Sequence, residues 1–124
     1  MHICPYCRNP FRYPYNIVVN TSLRKLSLYK NGKLIKSYSI AVGKPSTPTP
    51  KGTFTIVNKA LNPGGPFGAR WMGLNAAGGD YGIHGTNNPA SIGRAVSNGC
   101  IRLQNRDVIE IYNLILIGTV VKIN

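Results

Sequence analysis

The sequence predicts a mostly β fold, an antiparallel sandwich or barrel with one short helix in the C-terminal half. Three observations carry this. Short stretches of alternating apolar and polar residues recur from Asn16 onward. Fourteen glycines and nine prolines break these stretches at turn positions. One segment alone, residues 105–115, has a helical apolar period. A chain of 124 residues fits one domain with a modest core.

The elements follow in order. "NIVVN" (16–20) is a short strand. Leu26 and Leu28 alternate with Lys25 and Ser27, and Asn31-Gly32 supplies the two positive-φ positions of a tight hairpin. Beyond it, Tyr38, Ile40 and Val42 share one face of a returning strand. "KPSTPTPKG" is a proline-rich loop, because proline cannot donate to a ladder. "TFTIVNKAL" resumes the alternation through Phe54 and Ile56. "NPGGPFGA" is a turn cluster, and "RWMGLNA" and "DYGIHGT" are short strands around glycines. In "NRDVIEIYNLI", Asn105 is expected to cap the start and Asp107 sits where the helix dipole favours an acid. Val108, Ile111, Tyr112 and Ile115 form its buried stripe. Gly118 ends that region and "TVVKIN" closes the chain as a strand. Residues 1–15, with two cysteines, three prolines and four aromatics, read as a tail or small knuckle preceding a domain at 16–124.

Charge narrows the chemistry. Fifteen Lys and Arg face three acids, Asp80, Asp107 and Glu110, for a formal net charge of +12. So few carboxylates exclude an acid-rich metal site. They also exclude a two-carboxylate glycosidase, since Asp107 and Glu110 lie on one helix. The positive balance suits a polyanionic partner or a merely solvated basic surface. The basic residues are scattered, as at Arg24, Lys51, Arg94 and Lys122, and this argues against nucleic acid. No apolar run approaches the ~18 residues of a membrane span.

Two residues stand out as reactive. Cys100, in "AVSNGCIRL", and His84, in "YGIHGTNNP", are the only cysteine and histidine beyond residue 7. A free cysteine is often a small buried apolar residue. Beside a histidine it can instead be a nucleophile, with the imidazole moving the proton. Gly99 permits a sharp turn that could aim the Gly99 and Cys100 N–H groups at one point, as an oxyanion hole requires.

The string "HGTNNPASIGRAVSNGCIRL" resembles the signature of the L,D-transpeptidase catalytic domain of the YkuD type: HG, a spacer, then S-H-G-C, an apolar residue and arginine. "LSLYKNGKLIKSYSIAVGKPSTPTPKGTFTI" is similar to that family's opening hairpin and T-P-x-G loop. "NRDVIEIYNLILIGTVVKI" is similar to its ending. The resemblance covers residues 16–124. It implies a β-sandwich-like or barrel-like domain that remodels peptidoglycan in cell-wall biogenesis and needs no cofactor or metal. Carbapenems are expected to acylate its cysteine.

The resemblance also assigns roles. Cys100 matches the nucleophile that forms a thioester and releases D-alanine from a tetrapeptide stem. An amine then completes a 3→3 cross-link, or water gives carboxypeptidase activity. His84 matches the base and acid, and the Gly85 carbonyl orients its ring. Gly99 and Cys100 supply oxyanion N–H groups. Arg102 matches the arginine that supports the site and meets a substrate carboxylate. Ser97 matches the family serine, though a turn hydrogen bonder is the plainer reading. Asn98 departs from the family histidine. Asparagine takes up no proton at neutral pH, so it points either to a tolerated change or to a weakly active wall-binding module. Tyr81 and Trp71 are expected either to line the donor cleft or to pack in the sheet.

The resemblance places the protein at the cell wall or a spore envelope, among peptidoglycan and anionic wall polymers. "MHICPYCRNPFRYPYN" lacks the apolar region of a signal peptide, which raises delivery from inside. His2, Cys4 and Cys7 offer three ligands toward a zinc site, C-P-Y-C could be a redox pair, and the plain reading is a loose tail.

Overall fold

The structure, a computed structural model, describes residues 14–124. Ten strands and one helix form β1 (Tyr15–Asn20), β2 (Lys25–Lys30), β3 (Lys33–Ser39), β4 (Val42–Gly43), β5 (Gly52–Leu61), β6 (Arg70–Leu74), β7 (Gly82–His84), β8 (Ala95–Ser97), β9 (Ile101–Arg102), α1 (Asn105–Leu114) and β10 (Val120–Ile123). Eight strands make one curled sheet in the order β3-β2-β1-β10-β5-β6-β7-β9, and β4 pairs with β8 in a small second sheet. The first strand takes in Tyr15, one residue before the expected start, opposite Lys30. His2, Cys4 and Cys7 lie outside the described residues.

The alternation seen in the sequence produces the core. Ile17 and Val19 of β1, Leu26 and Leu28 of β2, and Ile56 of β5 are fully buried. Val108, Ile111 and Ile115 cover them from the helix side. Asn31 and Gly32 both have positive φ, 52° and 81°, so the β2–β3 hairpin turns as its sequence requires.

The sheet is mixed. β1 pairs with β10, β7 with β9 and β4 with β8 in parallel. Alternation within one strand carries no information on the direction of its partner, so these pairings are a finding of the structure. The β7–β9 pair matters most, because the sixteen-residue crossover between them returns the chain to place Cys100 beside the strand that holds His84.

Helix α1 starts where expected, but Asn105 does not cap it. Gln104 occupies the N-cap position and makes no side-chain capping bond. The Asn105 amide turns the other way. Its Oδ1 accepts from Ala69 N (3.0 Å) and Thr86 N (3.2 Å), and its Nδ2 donates to Thr86 O (3.1 Å). Asn105 thus ties the helix start to the segment that follows His84.

Candidate active site

β7 and β9 define the site. Ile83 pairs with Ile101 and both are fully buried. His84 pairs with Arg102 on the opposite face. Cys100, one step before β9, has its thiol beside the Gly82 backbone, and strand alternation carried one step beyond β9 puts it on the same face as Arg102 and His84. Standard strand spacing and rise set the Cys100 and His84 backbones about 8 Å apart, a gap the two side chains can close.

His84 is held on three sides. Its Nδ1 lies 2.5 Å from the Gly85 carbonyl oxygen, which accepts the Nδ1 proton and leaves Nε2 as the free basic nitrogen. Trp71, its cross-strand partner on β6, stacks on the ring with centroids 5.7 Å apart and planes 18° off parallel. Phe67 meets the imidazole edge-on at 5.1 Å. The residue is 3% exposed. Burial pushes its pKa below the ordinary 6.5, the Gly85 bond opposes this, and the Arg102 charge adds to the lowering. The resting ring is neutral.

The loop before Cys100 is pinned from beneath. Ser97 is 2% exposed, and its hydroxyl donates to Cys100 O (2.6 Å) and accepts from Gly99 N (3.1 Å). Ser97 therefore shapes the turn from inside. Of the two expected oxyanion donors, the Gly99 N–H is engaged by that hydroxyl. Gly99 has φ +116°, and a Cβ there would lie 2.5 Å from Tyr81 Cε1. Only glycine fits between the turn and that ring. Asn98 is exposed at the tip.

Cys100 is a free, half-buried thiol, and its Sγ donates to Asp80 O at 3.5 Å. Burial raises its pKa above 9.0. The Gly82 N–H and the Arg102 charge pull it down, and Asp80 pushes it up. A raised thiol and a lowered imidazole are both neutral near pH 7, so any attack by this thiol would need a base to take its proton as the new bond forms.

A cleft of about 450 Å³ is lined by Phe67, Trp71, Tyr81, Asp80 and Asn58 among others; Cys100 and His84 do not line it themselves but touch its wall, Cys100 at Asp80 and His84 at Phe67 and Trp71. Tyr81 and Trp71 both lie on the wall of this cleft. Trp71 is fixed by its Nε1 bond to Asn58 Oδ1 (2.9 Å). Sequence reasoning missed Phe67, Asn58 and Asp80. Phe67 sat in a stretch read only as a turn, and nothing local marks it as a neighbour of His84. Asn105 was found but given the wrong partner. No group of three or more metal-ligating side chains occurs among the described residues.

The family model described as the L,D-transpeptidase catalytic domain, YkuD, matches residues 14–123. The chain is 55% identical over 121 residues to YkuD of Bacillus licheniformis, named as an L,D-transpeptidase, covering 98% of this chain and 72% of that one. It is similar to the solved catalytic domain of the Enterococcus faecium L,D-transpeptidase, at 28% identity and TM-score 0.74, covering 89% of this chain and 96% of that one. It shares the fold of the L,D-transpeptidase LdtMt1, solved in complex with imipenem, at 19% identity and TM-score 0.73. That match covers 90% of this chain and 59% of the longer one. The chain belongs to the YkuD-type L,D-transpeptidase catalytic domain family.

Proposed function

We propose that this protein cleaves the terminal D-alanine from peptidoglycan tetrapeptide stems through a Cys100 thioester and passes the acyl group to an amine, making a 3→3 cross-link. The observation that supports it most is the common face of Cys100, His84 and Arg102, with the His84 ring held by the Gly85 carbonyl. His84 Nε2 takes the thiol proton as Sγ attacks the carbonyl of the stem's diamino-diacid residue. The Cys100 N–H meets the oxyanion. The same imidazole returns the proton to the departing D-alanine amine, so the C–N bond breaks as an amine leaves rather than as an anion. A second amine then resolves the thioester; water in its place yields the carboxypeptidase product.

The carbonyl of Gly85 does here what a carboxylate does in a serine triad. It fixes the tautomer without adding a charge, which suits a chain with three acids. Arg102 faces the same side and is suited to a stem carboxylate. The +12 charge favours approach to anionic wall polymers, with the cell wall or spore envelope as the site of action. The exposed Asn98 is compatible with activity, since no proton step passes through it.

The test is release of D-alanine from a tetrapeptide stem by wild type, Cys100→Ala and His84→Ala, with the cross-linked product followed by mass spectrometry. Release by wild type alone supports the reading. Binding of purified peptidoglycan with no release contradicts it and favours a wall-binding module.

A further inference from the structure

The cleft whose wall residue Asp80 touches Cys100 is electrostatically at odds with the rest of the molecule. The chain carries fifteen Lys and Arg against three acids, yet among the described residues no basic residue lines this cleft and one acid, Asp80, does. The other two acids each have a cation nearby, Glu110 with Lys36 at 3.0 Å and Asp107 with Arg106 at 3.9 Å. Among the described residues, Asp80 has no cation within 4 Å. Three rings, Phe67, Trp71 and Tyr81, form much of the remaining wall. One carboxylate beside aromatic rings is the chemistry that holds an ammonium ion, by charge-assisted hydrogen bonds and by cation–π attraction. It is unsuited to a carboxylate or phosphate. Asp80 is also tied to the reacting atom, since its backbone oxygen accepts from Cys100 Sγ at 3.5 Å.

We infer that this cleft is the subsite for the attacking amine, and that the Asp80 carboxylate selects a primary aliphatic ammonium and holds it beside the thioester. This rests on the transfer reaction proposed above. In that step the ammonium gives one proton to His84, and its lone pair forms the new C–N bond at the thioester carbon. The C–S bond then breaks with its electron pair on sulfur. A second nitrogen proton goes to that sulfur and restores the thiol, and His84 releases its proton to solvent. Asp80 is a specificity residue here: it concentrates the amine and takes no part in cleaving the donor.

Two measurements test this. In the first, Nα-acetyl-L-lysine is titrated into Cys100→Ala protein, with the Trp71 indole and Gly82 amide signals followed by NMR. Asp80→Asn in that background is expected to weaken binding about tenfold, and Asp80→Glu to restore most of it. Absent binding, or equal binding by the Asp80→Asn protein, overturns the inference whether or not the protein is catalytic. In the second, the acyl-enzyme formed from a tetrapeptide stem is partitioned between water and added nucleophile. Asp80→Asn is expected to lower the ratio of aminolysis to hydrolysis about tenfold for Nα-acetyl-L-lysine and to leave it unchanged for hydroxylamine, which is uncharged at neutral pH. An unchanged ratio for the lysine derivative, or an equal fall for both nucleophiles, overturns it. Failure of wild type to form an acyl-enzyme instead counts against the catalytic reading, and the binding measurement then decides this one.

Discussion

The indole of Trp71 lies flat against the imidazole of His84, with ring centroids 5.7 Å apart. Phe67 closes a second side at 5.1 Å. Together they shield the imidazole from water, and burial is the leading cause of its lowered pKa. Trp71→Leu is expected to admit water and return the His84 pKa toward 6.5. The acid limb of the kcat/KM profile then moves to higher pH, with activity below the new pKa reduced about tenfold. A pH–rate series on the two proteins checks this.

Replacing the base itself is more costly. His84→Ala is expected to lower kcat/KM for D-alanine release by about 10²–10⁴-fold with little change in Tm. Asn98→His, which restores the residue usual in the family at an exposed loop tip, is expected to change turnover less. Kinetics with the reverse order contradict the assignment of the base to His84.

Much of this site was legible in the chain. The "HG" and "SNGC" strings single out His84, Gly85 and Cys100 because each carries chemistry in its own side chain or adjacent peptide. The apolar alternation of β1, β2 and β5 and the Asn31-Gly32 turn were legible for the same local reason. What escaped depends on partners far along the chain. Phe67 touches His84 across 17 residues, Trp71 is fixed by Asn58 across 13, and the parallel β7–β9 pairing follows a long crossover. Asn105 is instructive. Its residue type and place suited an N-cap, and local propensity is silent on the competing offer of two N–H groups and a carbonyl from Ala69 and Thr86.

That clamp makes a stability prediction. Asn105→Ala removes three hydrogen bonds and strands the Ala69 and Thr86 amides, at a cost of about 2–3 kcal/mol. The "HG" segment would loosen with it, because the Asn105 amide is in close contact with Gly85. Chemical denaturation should show the lost stability, and kcat should fall alongside.

The two reactive groups also link stability to pH. The folded His84 pKa is depressed, so its contribution is present above 6.5 and is lost as pH falls through the folded value. The folded Cys100 pKa is raised, so its contribution is present below 9.0 and is lost as pH rises through the folded value. Denaturation midpoints across pH should be flat between these limits for these two groups. His84→Gln should remove the acid-side fall, and Cys100→Ala the alkaline one.

The central claim is that Cys100 is an activated nucleophile with His84 as its base. Intact-mass spectrometry after incubation with a carbapenem tests it most directly, with wild type, His84→Ala and Cys100→Ala compared. The expected result is one drug per chain on wild type, a much slower adduct on His84→Ala and none on Cys100→Ala. A folded, reduced wild type that gains no mass would contradict the claim, as would an adduct that survives the loss of Cys100.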